Sequence, residues 1–299
     1  MSRRSLSRAG QGHLAMLAFS SLVAGSFSLG VLAAPHIQPA AMNAPRFAIA
    51  AVLVGSVALA TGGFPREATR APWRYFLLGG TFGAYFVLMF EGLKTAAPVS
   101  AAAVFTLTPI LSAVIGYFML RQVTTVRMAG ALALGGAGAL WVIFRADWAA
   151  FRAFEVGRGE VIYFWGCVAH AAYTPMVRLL NRGERPVVFT FGMLVAGGLV
   201  VGAYGWRDIV ATDWAALPGI VWVTLLYISI FASAVTFVLL QFATMRLPAA
   251  KVMAYTYLAP SWVIVWEVAM GHGVPPAMVL VGVALTVVAL LVLLKDEGH

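Results

Sequence analysis

His170 and Tyr173 stand three residues apart in an otherwise apolar run, so on a helix they share one face a single turn apart. An imidazole and a phenol placed this way can donate hydrogen bonds to a carboxylate or stack on an apolar side chain. The plainer alternative is a pair satisfied among neighbouring helices. Other charged groups fall at the ends of apolar runs. Glu91 and Lys94 are spaced for a local ion pair. Arg46, Arg178 and Lys251 lie where long side chains reach back to the membrane surface, and Arg46 is read first as such a snorkelling residue and only second as a substrate clamp. Glu267 near the end of its run reads as a paired or snorkelled carboxylate. A charge held at mid-bilayer costs about 2.5–3.5 kcal/mol, so any that stays there is a functional candidate.

Enzymatic signatures are missing. The chain contains no Cys-x-x-Cys, no His-Glu-x-x-His, no Gly-x-x-x-x-Gly-Lys-Ser/Thr and no Gly-x-Ser-x-Gly. The single cysteine, Cys167, permits no internal disulfide and reads as a small buried residue. No metal site, cofactor or catalytic residue is expected, and ATP-driven pumping by this chain alone is excluded. The first apolar stretch, Leu14 to Ala34, carries no Asp or Glu.

The elements that position these groups follow from composition. Of 299 residues, 62% are hydrophobic and 10% charged, with a mean hydropathy of +0.90. A soluble domain carries about 25% charged residues, so the bilayer must solvate much of this chain. The net charge of +9 is spread over the connections between apolar runs, as membrane topology requires, and argues against a nucleic-acid partner. The sequence predicts an all-α integral membrane protein with ten transmembrane helices near 14–34, 40–60, 73–94, 97–120, 126–144, 159–181, 186–204, 217–241, 248–270 and 276–294. The first resembles a signal peptide, with Arg3, Arg4 and Arg8 ahead of Leu32-Ala33-Ala34, but its length fits a retained span. With the N-terminus inside, most Lys and Arg fall on the cytoplasmic side. Both termini are therefore expected in the cytoplasm, in a cell inner membrane.

The two halves repeat. Pro98 and Pro109 in the fourth span match Pro248 and Pro260 in the ninth, at spacings of 11 and 12 residues, and Gly130 and Gly282 follow in the fifth and tenth. Five spans are an odd number, so the second copy enters the membrane upside down. We therefore expect two inverted five-helix repeats around a central cavity: residues 1–144, an outer connection 145–158, and residues 159–299. A proline within a span frees a carbonyl, tolerated in a bilayer only where protein or a watery cavity satisfies it. Pro109 and Pro260 thus point to the fourth and ninth spans as cavity walls; a packing kink is the simpler alternative. The cavity-lining candidates are His170, Tyr173, Trp165, Tyr85, Phe90, Phe105, Thr108, Pro109, Tyr257 and Pro260. Gly130, Gly135, Gly136 and Gly138 read as close helix packing.

These residues resemble the drug/metabolite transporter superfamily, in its EamA branch. The resemblance covers nearly the whole chain and rests on Gly25-Ser26-Phe27, Ala44-Pro45-Arg46-Phe47, Pro98-Val99-Ser100-Ala101-Ala102 with Leu107-Thr108-Pro109, Ala172-Tyr173 with Arg178, and Leu258-Ala259-Pro260. Departures are Arg121-Gln122 and Gly271-His272 in place of a Gly-Glu pair, and Ala24 in place of a Trp. Within the branch the chain looks most like the YddG-type amino-acid exporters. The resemblance implies a monomeric secondary transporter that exports small metabolites, most of all amino acids including aromatic ones, by alternating access. Its small-molecule substrate and the lipid bilayer are the expected partners. Export of cationic drugs or sugars is the alternative within transport, and a membrane-embedded enzyme or sensor the alternative outside it. Accessibility labelling of the two chain ends should find both on one face of the bilayer; opposite faces would remove the inverted repeat.

Overall fold

The computed structural model describes residues 7–295, and among these the regular structure is entirely helical. Arg3 and Arg4, used above for orientation, lie outside the described residues. Ten long helical segments follow one another: α1 (Arg8–Ala33), α2 (Pro39–Ala60), α3 (Trp73–Leu93), α4 (Pro98–Leu120), α5 (Val126–Ile143), α6 (Arg158–Leu180), α7 (Pro186–Tyr204), α8 (Gly219–Thr244), α9 (249–269) and α10 (Ala277–Lys295). Eight of them are long and apolar enough to cross a membrane. The others, α6 and α9, depart for visible reasons. Arg158, Glu160, His170 and Arg178 dilute α6, and a 3-10 turn at Tyr255–Leu258 breaks α9. The first helix starts six residues before its apolar run because the Ser7 hydroxyl caps it, accepting from the Gly10 N–H at 3.1 Å.

Packing is symmetric under exchange of the halves. α3 packs on α6 and α7, and its counterpart α8 packs on α1 and α2. α2 pairs with α7, and α5 with α10. At the centre the broken helices cross, with each half of α4 against the opposite half of α9. Fold and repeat are as the proline spacing predicted. Close approach needs glycine: a Cβ on Gly138 of α5 would lie 2.6 Å from the Gly282 carbonyl oxygen of α10, and a Cβ on Gly282 would lie 2.7 Å from that of Gly138. Gly135 and Gly136 likewise accommodate Tyr257 and Ile110, whereas Gly130 has open space beside it.

Both proline breaks are chemically repaired. In α4 the helix stops at Phe105 and restarts at Thr108. Pro109 has no N–H to give the Phe105 carbonyl, and the Thr108 hydroxyl donates to that oxygen instead, at 2.6 Å. In α9 the Ala259 N–H bonds the Thr256 carbonyl, which Pro260 leaves without its usual helical donor. The Thr286 hydroxyl of α10 reaches the Tyr257 carbonyl at 3.0 Å. A 3.0 Å hydrogen bond between the Thr108 and Thr256 hydroxyls ties the two breaks where the helices cross.

Arginines on the side of the α2–α3 and α6–α7 connections cap neighbouring helices rather than snorkelling into water. Arg178, expected to snorkel, turns inward: Nε donates to the Thr244 carbonyl and Nη2 to that of Leu247, at the end of α8. Arg185 does the same for the Thr61 and Gly63 carbonyls beyond α2. Arg74 donates to the Leu180 carbonyl ending α6 and pairs with Glu184 at 2.7 Å, both nearly out of solvent. Cations at C-terminal carbonyls complement the helix dipole. Glu91 and Lys94 form the local pair their spacing indicated, at 2.7 Å, and Glu267 pairs with His272 at 2.8 Å.

Burial pushes the Glu184 carboxyl up, but hydrogen bonds from Arg74 and the Arg182 N–H outweigh it and hold it below the usual range. A depressed folded value gives stability that is complete above the unfolded value and lost as pH falls through the folded one. Thermal unfolding of purified protein should therefore weaken on acidification below about pH 4.5. Glu184→Gln, which keeps an acceptor for Arg74 at a part-buried site, should cost about 1–2 kcal/mol, less than a fully buried pair, and flatten that pH dependence.

Candidate functional site

Arg46 sits at the centre of the bundle. Seven residues into α2, about 10 Å along its axis, it is 1% exposed. Its guanidinium carbon lies 3.4 Å from the centroid of the Phe86 ring. Nε donates to the Ser233 hydroxyl at 2.6 Å, Nη2 to the Ala232 carbonyl at 2.8 Å, and Nη1 to Asn43 Oδ1 at 3.3 Å. The Ala232 carbonyl is free to accept because α8 widens into a π-turn over Ile230–Val235, which disturbs the ordinary ladder. Asn43 is fixed in turn by donating to the Pro39 and Phe86 carbonyls. No carboxylate pairs with Arg46 among the described residues.

Around the guanidinium stands an aromatic wall. Phe82, Tyr85 and Phe86 of α3, Phe105 of α4, His170 of α6 and Phe237 of α8 line the same cavity. The His170 ring is 4.6 Å from Tyr85, 5.1 Å from Phe105 and 5.2 Å from Phe82, centroid to centroid. Behind this layer the Tyr85 and Tyr163 hydroxyls share a 3.1 Å hydrogen bond, and Gln241 Nε2 donates to the Tyr173 hydroxyl at 2.6 Å. Two polar atoms on the cavity wall lack any partner, His170 Nδ1 and Thr236 Oγ1. Buried polar atoms are nearly always bonded, so such orphans mark a place for a ligand or water. The space left is about 10 Å³, one water at most, because the rings close over it. Chemically the arrangement offers a fixed cation at one end, stacking faces along its length, and two free hydrogen-bonding atoms.

Of the predicted residues, His170, Tyr85 and Phe105 line this cavity. Tyr173 stands just behind, its ring 4.3 Å from Phe82. Thr108 and Pro109 of α4 and Pro260 of α9 are buried around the helix crossing and, contrary to expectation, do not line this cavity, whose described wall includes no residue of α9. Three further expectations are corrected. Trp165 is 60% exposed on the outer surface of the bundle; at 3.6 residues per turn it points about 140° away from His170. Tyr257 turns from the cavity into α5, its ring where a Gly135 Cβ would be. Phe90 is buried against Gly30 of α1, outside the cavity.

Sequence reasoning undervalued Arg46, since proximity to the start of an apolar run suggested snorkelling. It also passed over Tyr163, although Tyr163, Cys167, His170 and Tyr173 recur at helical spacing on one stripe of α6. Ser233 and the π-turn carry no local sequence signal.

Fold and site together define a multi-pass membrane protein of two inverted halves enclosing a central polar–aromatic cavity. The sequence model described as the EamA-like transporter family matches residues 10–144 and again 157–295, and the chain belongs to this family. Among curated proteins it is 24% identical over 265 residues to the uncharacterized transporter YyaM of Bacillus subtilis strain 168, covering 87% of this chain and 86% of that one. It is 25% identical over 221 residues to a WAT1-related chloroplastic protein of Arabidopsis thaliana, covering 70% of this chain and about half (51%) of the plant protein. A solved crystal structure shares the fold, with a TM-score of 0.70 over 96% of both chains at 22% identity.

Removing Arg46 relieves a buried charge but also strips the Ala232 carbonyl and Asn43 Oδ1 of their donor. Arg46→Met should therefore lower the stability of the purified protein by about 1–3 kcal/mol, read as a fall in melting temperature. An unchanged or raised melting temperature would show that the desolvation of the charge outweighs those bonds.

Proposed function

We propose that this transporter moves small carboxylate-bearing metabolites, amino acids including aromatic ones, through the central cavity by alternating access, and that it exports them. One observation carries the reading: a buried guanidinium with no carboxylate partner among the described residues, stacked on an aromatic wall. In a low-dielectric site such a group favours an anion, and Arg matches a carboxylate's two oxygens. The rings of Phe82, Tyr85, Phe105 and Phe237 then receive an apolar or aromatic side chain, with His170 Nδ1 and Thr236 Oγ1 bonding the remaining polar groups. A cationic drug would meet Arg46 and no carboxylate, which speaks against that alternative.

Tyr173 supports the wall from behind. Thr108, Pro109 and Pro260 act at the helix crossing, where two repaired breaks joined by one hydroxyl pair form the hinge between inward and outward states. The halves 1–144 and 159–299 move against each other about it. Among the described residues no Asp or Glu lines the cavity, so substrate runs down its own gradient without an acidic proton relay. The arginine-rich face and both termini are cytoplasmic in an inner membrane, and the working unit is the monomer.

Liposomes reconstituted with the purified chain test this by counterflow of labelled phenylalanine. Losing a charged hydrogen bond worth about 1.5–3 kcal/mol should lower transport by Arg46→Gln about 10–100-fold. Trp165→Leu, on the lipid-facing surface, should stay within about twofold of the parent. Phenylalanine methyl ester, which lacks the carboxylate, should fail to compete, and an imposed pH gradient should not change the rate. Competition by the ester equal to that of phenylalanine would overturn the assignment.

A further inference from the structure

A second cavity, of about 360 Å³, lies on the flank of the bundle between α3 and α7, away from the central site. α3 and α7 touch where Gly79 meets Gly197: a Cβ on Gly79 would come within 2.4 Å of the Gly197 nitrogen. Beside that contact the helices part and leave a slot. Tyr75 and Phe76 form one wall, and Val188, Phe191 and Val195 the other. The α2–α3 connection roofs it. The Phe64 ring sits 4.7 Å from Phe191, and the Tyr75 hydroxyl donates to the Ala68 carbonyl at 2.9 Å, holding the 3-10 turn Arg66–Thr69 in place. The partly exposed faces of Phe76 and Val195 open the slot toward the lipid side.

The roof is strongly basic. Arg74 is taken by Glu184 and helix carbonyls, and Arg185 by the Thr61 and Gly63 carbonyls. Arg66 and Arg70 flank the slot-lining residues Ala68 and Thr69 and remain exposed, opposed in their own segment only by Glu67. The slot itself is almost wholly apolar. A soluble anion gains nothing from such walls, and a zwitterionic lipid brings no net charge to the arginines. Only an amphiphile with an apolar tail and an anionic head satisfies both parts.

We propose that this slot binds an anionic phospholipid, one acyl chain between α3 and α7 and its phosphate on Arg66 and Arg70. Juxtamembrane arginines attract anionic lipid headgroups, and two of them add preference for a charged head. The site is separate from the substrate cavity and stands whether or not the transport reading does.

Native mass spectrometry of the full chain, titrated with phosphatidylglycerol and with phosphatidylcholine of identical chains, tests it. Phosphatidylglycerol should be retained at about tenfold lower concentration and should raise the melting temperature more. Arg66→Gln with Arg70→Gln should abolish the headgroup preference while leaving the protein folded. Val195→Trp, which fills the slot from the lipid side, should reduce retention of both lipids. Equal retention of the two lipids by the parent, or a preference that survives the double substitution, would overturn the proposal. So would displacement by glycerophosphoglycerol as effective as by the intact lipid, which would mark a phosphate site rather than a lipid site.

Discussion

In hydrocarbon an unpaired backbone polar group costs several kcal/mol and no water is present to relieve it. That constraint explains more of this molecule than any single contact. It makes the described regular structure helical, and it decides what happens wherever a helix ends or breaks. At Pro109 the carbonyl of Phe105 loses its donor and the Thr108 hydroxyl supplies one. At the ends of α2, α6 and α8 the open carbonyls are taken by Arg185, Arg74 and Arg178. At the π-turn of α8 the Ala232 carbonyl is taken by Arg46. The last case differs in kind, because the donor brings a full charge into the middle of the bundle.

Arg46 is expensive to keep. Its hydrogen bonds and its stacking on Phe86 compensate part of the desolvation, yet among the described residues no carboxylate pairs with it. The rings that close around it leave room for about one water, so admitting a solute requires α3, α6 and α8 to part. All three pack beside the crossing of α4 and α9 that the Thr108–Thr256 hydrogen bond ties. At the other end of α3 lies a separate basic rim, where Arg66 and Arg70 are exposed.

Much of the architecture was legible in the chain itself. Hydropathy marks eight of the ten spans, proline spacing marks the repeat, and an odd number of spans in each copy makes the second inverted. Of the candidates named from the sequence, His170, Tyr85 and Phe105 line the central cavity and Tyr173 packs behind it. Trp165 and Tyr257 were misplaced because an aromatic in a span gains equally from lipid, from a neighbouring helix or from a cavity. Residue type does not separate these environments; rotation about the helix axis does, and for Trp165 the helical spacing already held the answer.

Composition and periodicity thus determined that this chain is a ten-span bilayer protein of two related halves. They act locally, through transfer free energies and single-helix geometry, and need no knowledge of which helix meets which. Only the tertiary structure decided which polar groups face one another. Arg46 meets Ser233 and Ala232 across 187 and 186 residues of sequence. Whether an arginine near a span's end reaches the surface or the core depends on the helix beside it, and that neighbour is set by packing of the whole bundle.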